Sequence, residues 1–219
     1  MRRPAAVVFD LDGTLIDSAG DLQYAVNRVL DRFGCESLSL LEFRSMIGDG
    51  VEALIARALT ARSCVVPDGQ ARQLFLEHYE ANLTTLTRPY PGAQAMLEIL
   101  HAKGLKLAVC TNKRTDWART ILERLALDRY FARVLGGDSF RFRKPDPRVL
   151  LQTLTALQVT PASSLFVGDS EVDANTALAA GVPFILMTHG YHRGPVGDIP
   201  CLTALDTFEQ FNEFLAAGR

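Results

Sequence analysis

The sequence predicts an α/β fold, in which helices flank a parallel sheet and a small all-helical domain is inserted after the first strand. Short aliphatic and β-branched runs recur along the chain, each followed by turn residues and a helical pattern, which is typical of parallel α/β sheets. The interval from 18 to 87 differs, because it carries helical patterns and no convincing strand. The length of 219 residues fits one Rossmann-like core with one small insertion. We therefore predict a core of residues 1–17 and 88–219 and a helical cap of residues 18–87.

Five apolar runs are predicted to form largely buried strands of the core sheet. In chain order they are Ala6 to Asp10, Leu105 to Thr111, Arg133 to Gly136, Leu165 to Gly168 and Phe184 to Met187. Between the second and third runs, Asp116 to Leu127 has apolar residues at spacings near three and four, which predicts an amphipathic helix over one face of the sheet. A further helix is expected from Ala174 to Ala180, where Gly181 ends it.

Four short helices are predicted in the inserted segment, each bounded by glycine or by a turn. They are expected at Asp21 to Phe33, Leu41 to Ile47, Val51 to Ala61 and Ala71 to Leu83. The chain then returns to the core through Arg88 to Gly92, where two prolines restrict the backbone and the glycine permits a tight turn. We interpret this return segment as a hinge.

Composition excludes several classes of function. The chain is 48% hydrophobic and 22% charged, which provides a sizeable core and excludes wholesale disorder. Its 23 Lys and Arg stand against 25 Asp and Glu, and the net charge of −2 gives no global case for binding nucleic acid or an anionic membrane. No stretch approaches the roughly 18 uninterrupted apolar residues of a membrane span.

The cysteines predict neither a disulfide framework nor a structural metal site. They are scattered, with no Cys-x-x-Cys pair and no histidine at zinc-finger spacing. They stand at Cys35, Cys64, Cys110 and Cys201. We accordingly expect a cytoplasmic protein, without nucleic-acid or membrane partners, that is a monomer or a homodimer.

Two carboxylates lie at the carboxyl end of the first predicted strand. Asp10 and Asp12 are two residues apart, so strand periodicity directs both toward the same side. Paired acids at a strand end suit a hard divalent cation, because one can bind Mg²⁺ and attack while the other shuttles a proton. Asp-Gly and Thr are also common in plain strand-to-helix turns, which is the alternative interpretation.

Two further strand ends carry groups that suit phosphate. Thr111 and Asn112 end the second strand with a hydroxyl, an amide and backbone N–H groups, although such residues also cap helices. Lys144 follows the third strand beside two prolines and could neutralise a phosphoryl oxygen, although a basic loop is usually a solvated surface.

A second pair of carboxylates follows the fourth predicted strand. Gly168 lets the backbone turn close to a ligand, and Asp169 is then placed as a metal ligand. Asp173 has two possible roles, as an acid that supports the metal site or as the N-cap of the following helix.

All these strand ends are expected to meet at the carboxyl edge of one parallel sheet, where open α/β folds bind ligands. Phosphate-monoester hydrolysis needs up to about 10²¹-fold acceleration, roughly 28 kcal/mol, which is more than one group supplies. Three carboxylates, one Mg²⁺ and one lysine balance in charge, so a doubly charged phosphate meets no large like-charge barrier. The set predicts Mg²⁺-dependent phosphoryl transfer.

The chain resembles the haloacid dehalogenase superfamily in four ordered motifs, which together span nearly all of it. The motifs are Asp10-Leu11-Asp12-Gly13-Thr14, Thr111-Asn112, Lys144-Pro145 and Gly168-Asp169 with Asp173. The resemblance implies a mobile helical cap, Asp10 as a nucleophile that forms an aspartyl-phosphate, and Asp12 as general acid and then base. It also implies Mg²⁺ held by Asp10, the Asp12 backbone carbonyl and Asp169, with Asp173 in support.

The same resemblance implies that Thr111, Asn112 and Lys144 hold the phosphoryl group, with Lys144 also catalytic. Gly13 and, in the cap, Arg57 are further candidates for substrate binding.

Departures from the pattern narrow the choice within the superfamily. Dehalogenases lack an acid two residues after the nucleophile, so Asp12 favours phosphoryl transfer. The segment from 18 to 87 contains no lysine, which removes the Schiff-base chemistry of phosphonoacetaldehyde hydrolases and weakens a β-phosphoglucomutase interpretation. Arg44 and Arg57 keep that interpretation open.

The cap segment from 47 to 59 and the run Thr188-His189-Gly190-Tyr191 resemble bacterial phosphoglycolate phosphatases. That resemblance implies a phosphatase that converts 2-phosphoglycolate to glycolate and phosphate, with a small phosphorylated metabolite as its partner. A sugar phosphate or pyrophosphate as substrate, a phosphomutase and a non-catalytic binding module are the alternatives. No core motif is damaged, and damage is what a non-catalytic module would predict.

Overall fold

The computed structural model describes residues 3–217. The strands are β1 (Ala6–Phe9), β2 (Ile16–Asp17), β3 (Arg88–Pro89), β4 (Lys106–Cys110), β5 (Arg133–Leu135), β6 (Ser164–Gly168), β7 (Phe184–Met187) and β8 (Thr203–Leu205). The α-helices are α1 (Ala19–Arg32), α2 (Leu40–Arg44), α3 (Val51–Ala61), α4 (Gln70–Ala81), α5 (Ala93–Ala102), α6 (Thr115–Arg124), α7 (Pro147–Leu157), α8 (Glu171–Ala180) and α9 (Phe208–Ala217).

Six strands of the described chain form a parallel sheet in the order β5-β4-β1-β6-β7-β8. The central strand β1 pairs with β4 on one side and with β6 on the other, so the order in which successive strands are added to the sheet reverses at β1. This confirms the predicted α/β fold, and all five predicted strands are present as β1, β4, β5, β6 and β7. The edge strand β8 was not predicted.

Alternation along β1 separates two hydrophobic layers. Val7 and Phe9 face a layer that includes apolar residues of α5, α6 and α9. Ala6 and Val8 face a second layer, built with α7 and α8. Because successive side chains of a strand point to opposite faces, one short apolar strand anchors both halves of the core. Asp10, the next residue, is held rigidly at the sheet edge.

The inserted segment between β2 and β3 contains the four helices α1 to α4, as predicted. Each of these helices begins and ends within two or three residues of its predicted bounds. The layer on the Phe9 side of the sheet continues into them through Phe43, Phe75 and Tyr79, so these helices bury their apolar faces against the core. The boundaries at residues 18 and 87 stay a prediction.

The two connections to these helices pair with each other. β2 and β3 form a two-stranded antiparallel ribbon in which Ile16 lies opposite Pro89 and Asp17 lies opposite Arg88. The predicted hinge therefore begins as a strand. In the described part of the chain, no helix has the length and apolar character needed to cross a membrane.

The expectation of no disulfide is wrong. Cys35, just after α1, is bonded to Cys64, just after α3, with their Cα atoms 6.0 Å apart. The spacing of 29 residues gives no motif, because the packing of helices in the inserted segment is what brings the two ends together. Cys110 and Cys201 are free thiols.

Candidate active site

Three buried carboxylates meet at the carboxyl ends of β1 and β6. Asp10 directly follows β1, Asp169 directly follows β6, and Asp173 lies in the first turn of α8. One oxygen from each lies within 4.8 Å of the others. Topology alone explains this meeting, since β1 and β6 are adjacent and parallel.

The Lys144 ammonium is the counter-charge to this carboxylate cluster. Its Nζ lies 2.8 Å from Asp10 Oδ1 and 2.6 Å from Asp173 Oδ1, and its side chain is 2% exposed. Burial lowers the pKa of Lys144, but the two carboxylates outweigh it and hold the pKa above its usual range, so the ammonium stays charged. The structure thus places Lys144 beside Asp10, and its binding of a phosphoryl group stays a prediction.

The buried cluster has more negative than positive charge. Burial raises the pKa of Asp10 to about 6; the charge of Lys144 opposes this rise, and the charge of Asp173 adds to it. Burial and the charges of Asp173 and Asp10 also raise the pKa of Asp169 well above its usual value. Three carboxylates facing one ammonium therefore favour a further cation.

The oxygen chemistry of the cluster fits Mg²⁺. Asp10 Oδ1 is buried and, despite its ion pair with Lys144, has no hydrogen-bond donor in suitable geometry among the described residues. Hard divalent cations take carboxylate oxygens of this kind. Asp10 and Asp169 would be the ligands, with Asp173 beside them.

Asp169 is fixed from two sides. Thr14 Oγ1 donates a 2.6 Å hydrogen bond to Asp169 Oδ1, and the Tyr191 N–H donates a 2.7 Å hydrogen bond to Oδ2. Both donors come from segments singled out in the sequence, although neither was assigned this role. They fix the orientation of the Asp169 carboxylate, as hydrogen-bond partners commonly do for carboxylates that bind metals.

Asp173 is not the N-cap of its helix. Ser170 is the N-cap, and Asp173 is the third helical residue of a capping box, with Oδ2 accepting from Ser170 Oγ at 2.7 Å. Its other oxygen binds Lys144. Asp173 thus joins the helix start to the ammonium, and its support of a metal site stays a prediction.

Asp12 lies beside the cluster and is held by different partners. Its Oδ1 accepts a 2.6 Å hydrogen bond from Ser18 Oγ, and Lys113 Nζ lies 2.9 Å from Oδ1 and 2.8 Å from Oδ2. Burial lowers the pKa of Lys113, but Asp12 and Tyr79 outweigh it, so this ammonium also stays charged. Lys113 adjoins the Thr111-Asn112 motif, but it was not among the site residues predicted from the sequence.

The other residues predicted to bind substrate lie in different surroundings. Thr111 is buried at the end of β4, and Asn112 Nδ2 donates to the Gly48 and Lys144 carbonyls at 3.0 Å each. The Gly13 N–H donates a hydrogen bond to the Ile16 carbonyl. Arg57 turns away from the cluster and donates to Asp49 and to the Met46 carbonyl.

A cavity of about 50 Å³ lies between the strand ends and the inserted helices. Polar residues of the strand ends form one wall: Asp10, Asp12, Thr111, Asn112 and Lys113. Residues of the inserted segment form the other: Leu22, Ile47, Gly48, Gly50, Val51 and Leu54. Trp117 also lines it. The cavity therefore holds acid and ammonium groups against an almost wholly apolar roof.

Comparison with known proteins agrees with this geometry. The model of the family described as haloacid dehalogenase-like hydrolase matches residues 7–187. A phosphoglycolate phosphatase of Cereibacter sphaeroides (strain ATCC 17025) is 48% identical over 198 residues, which covers 89% of each chain. Another from Rhodospirillum rubrum is 41% identical over 219 residues, covering 97% of this chain and 91% of the relative.

Solved structures share the fold. A protein described as a predicted phosphoglycolate phosphatase from Haemophilus somnus 129pt superposes with a TM-score of 0.93 at 30% identity, covering 98% of this chain and 99% of that one. CbbY from Rhodobacter sphaeroides, solved in complex with phosphate, superposes with a TM-score of 0.81 at 22% identity, covering 95% and 96%. At that identity the second likeness concerns the fold alone.

Proposed function

The chain belongs to the haloacid dehalogenase-like hydrolase family, and from this premise we propose that it is a Mg²⁺-dependent phosphatase that hydrolyses 2-phosphoglycolate to glycolate and phosphate. The observation that carries the proposal is the juxtaposition of two acids at one cavity. Asp10 is held by Lys144 next to the carboxylate cluster, while Asp12 is held apart from it by Lys113 and Ser18. Two carboxylates in such different surroundings suit two different roles.

Asp10 acts as the nucleophile. Its carboxylate oxygen attacks phosphorus, the bond from phosphorus to the bridging oxygen breaks, and an aspartyl-phosphate forms on Asp10. Asp12 gives its proton to the departing bridging oxygen, which leaves as the hydroxyl of glycolate. Asp12 then takes a proton from water as that water attacks the aspartyl-phosphate, and phosphate and free Asp10 result.

Charge is balanced by groups that are already in place. Lys144 lies against Asp10 and neutralises a phosphoryl oxygen, while Thr111 and Asn112 lie at the neighbouring strand end. Mg²⁺ held by Asp10, Asp169 and the Asp12 carbonyl, with Asp173 in support, would supply the remaining positive charge when bound. These groups act in a closed site, where electrostatic stabilisation is strong.

The cavity favours a small monoester. Its roof is apolar and its volume is about 50 Å³, so a bulky leaving group would require the inserted helices to move. Curated relatives up to 48% identical carry the name phosphoglycolate phosphatase, which supports the two-carbon acid as leaving group.

The residues around the cavity give less support to a phosphomutase. The two arginines of the inserted segment that could hold the second phosphate of a bisphosphate intermediate are paired elsewhere, Arg57 with Asp49 and Arg44 with Asp17, and neither lines the cavity. This pairing supports release of phosphate to water.

Phosphate release from a panel of esters tests the proposal. The panel contains 2-phosphoglycolate, β-glucose 1-phosphate, sugar 6-phosphates and pyrophosphate, each with Mg²⁺ or with EDTA, and products are analysed to detect a mutase. We expect the highest kcat/KM on 2-phosphoglycolate, with loss of activity in EDTA and in Asp10→Asn. Asp68→Asn, at an exposed turn, is the matched control. No turnover by the wild type on any ester would refute the proposed function.

A further inference from the structure

Lys113 lies beside Asp12 in the wall of the cavity. It follows β4 directly after Thr111 and Asn112, and its side chain is 3% exposed. Its Nζ contacts both oxygens of Asp12 and lies 5.0 Å from the centre of the Tyr79 ring, on α4. Taking an ammonium out of water costs several kcal/mol unless it is well paired, so this charge is tightly placed.

Lys113 is also the cation in the cavity wall. Among the residues that line the cavity, its neighbours are acids, a hydroxyl, an amide, glycines and apolar side chains. Lys144 lies against Asp10 and is shared with Asp173, so it is placed to bind the phosphoryl group of the substrate. An ammonium has three N–H donors, and the two Asp12 oxygens leave one free for a ligand.

Distances limit which part of a substrate Lys113 could reach. The bridging oxygen must lie about 2.6–3.2 Å from the Asp12 carboxylate to receive its proton. Lys113 Nζ is 2.8 Å from the same carboxylate, so it lies within about 6 Å of the bridging oxygen. The oxygens of a carboxylate separated from that bridging oxygen by one carbon lie about 3 Å from it, across three bonds, so one of them can come within hydrogen-bond distance of Nζ.

We propose that Lys113 is a specificity-determining residue that binds a carboxylate on the carbon next to the bridging oxygen. The inference rests on the proposed function, because it uses Asp10 as nucleophile and Asp12 as proton donor. It deepens that function by naming the substrate class: phosphate monoesters of 2-hydroxy acids. The side chains opposite this position, Ile47, Val51 and Leu54, are apolar and cannot pair with an anion.

Two esters of matched size separate recognition of the carboxylate from catalysis. One is 2-phosphoglycolate, and the other is 2-hydroxyethyl phosphate, whose two-carbon leaving group is neutral. The quantity measured is the ratio of their kcat/KM values, for the wild type, Lys113→Met, Lys113→Arg and the exposed control Lys103→Met.

We expect the wild type and Lys103→Met to prefer the acid by about 100-fold or more, as a site built for a charged partner does. Lys113→Met should slow both esters, because Asp12 loses a partner, but should also reduce the ratio about 100-fold. Lys113→Arg should restore part of the ratio.

Three outcomes would overturn the proposal. If the wild type shows no preference for the acid, the lysine does not select a carboxylate. This measurement uses the wild type alone, so it does not depend on whether a variant folds. If Lys113→Met slows both esters equally, the lysine acts only by positioning Asp12. If the wild type hydrolyses neither ester, the proposed function fails and the inference fails with it, a result distinct from activity without selectivity.

Discussion

Arg193, in the loop after β7, forms an ion pair with Asp49, in the loop between α2 and α3. Arg193 also donates to the Ser45 carbonyl at 3.2 Å and to the Ile47 carbonyl at 3.4 Å. Arg57 donates to the same oxygen of Asp49, Oδ2. The loop that supplies part of the cavity roof is therefore bound to the core by Arg193 and by the Asn112 amide, which donates to the Gly48 carbonyl.

Loss of this contact should affect activity more than stability. Arg193→Met removes the contacts of Arg193 with Asp49 and with the Ser45 and Ile47 carbonyls, so we expect KM to rise and kcat/KM to fall about 10-fold, because the roof closes less often. Both partners are partly exposed, so the free energy of unfolding should change by less than about 1 kcal/mol. Steady-state kinetics and urea denaturation measure the two effects, with the exposed Arg141→Met as control.

The effect should not depend on pH near neutrality. Burial raises the pKa of Asp49, but hydrogen bonds from Arg57 and Arg193 outweigh it, and the pKa lies below its usual value. A depressed pKa in the folded state means that the stabilisation is present above the ordinary carboxyl pKa and is lost only as pH falls through the lower value. A wild-type to Arg193→Met ratio that varied between about pH 6 and pH 8 would contradict this account.

Gly190 leaves room for a metal ligand. A Cβ at this position would overlap the Cβ and the carboxylate of Asp169. Gly190→Ala should displace Asp169 and reduce kcat/KM at least about 100-fold, since small misplacements in an active site have effects of this size. Gly197→Ala is the matched control, because nothing lies within 4 Å of a Cβ there. Equal activity in the two variants would show that Asp169 tolerates displacement.

The sequence predicted those features that depend on one strand or one helix at a time. The apolar runs gave five of the six strands of the sheet, and the residues after them gave Asp10 and Asp169, because parallel strands end at one edge. The strands β2 and β3 have two residues each, which is too short for an alternating pattern. They form because longer elements bring their partners near.

Features that depend on packing between distant segments were missed or misplaced. Lys113 acts on Asp12 across 101 residues, so neither residue carries a local signal for the pair. Arg57 was a candidate for binding substrate from the cap, but its guanidinium is paired with Asp49, eight residues earlier in the sequence. The partners of Asp49 and of Cys35 likewise come from tertiary packing, which residue spacing does not encode.

The bond between Cys35 and Cys64 should stabilise the inserted helices. Closing a loop of 29 residues lowers the entropy of the unfolded chain and should contribute about 3–4 kcal/mol. We expect dithiothreitol to lower the Tm of the wild type and to leave that of Cys35→Ser unchanged. Cys201→Ser, at an exposed free thiol, should respond to the reductant like the wild type. A wild-type Tm insensitive to dithiothreitol would mean that the bond contributes no stability.

Mg²⁺ should stabilise the folded protein through the carboxylate cluster. Asp10, Asp169 and Asp173 are buried within 4.8 Å of one another and share only the charge of Lys144, so a cation relieves their repulsion. At a concentration 100 times its Kd, a ligand that binds only the folded state adds about 2.7 kcal/mol, which corresponds to roughly 5–10 °C in Tm for a chain of this size. Differential scanning fluorimetry with and without Mg²⁺ measures the shift.

Two variants make the thermal measurement specific to the cluster. Asp169→Asn removes a charged ligand and keeps one oxygen, which can accept from the Tyr191 N–H while the amide NH₂ donates to the Thr14 hydroxyl, so the Mg²⁺-dependent shift should fall below about 2 °C. Without Mg²⁺ this variant should be at least as stable as the wild type, because the burial that raises the pKa of Asp169 also disfavours its charge. Asp68→Asn should retain the full shift. A shift of equal size in Asp169→Asn would place the cation elsewhere and remove Asp169 from the proposed metal ligands.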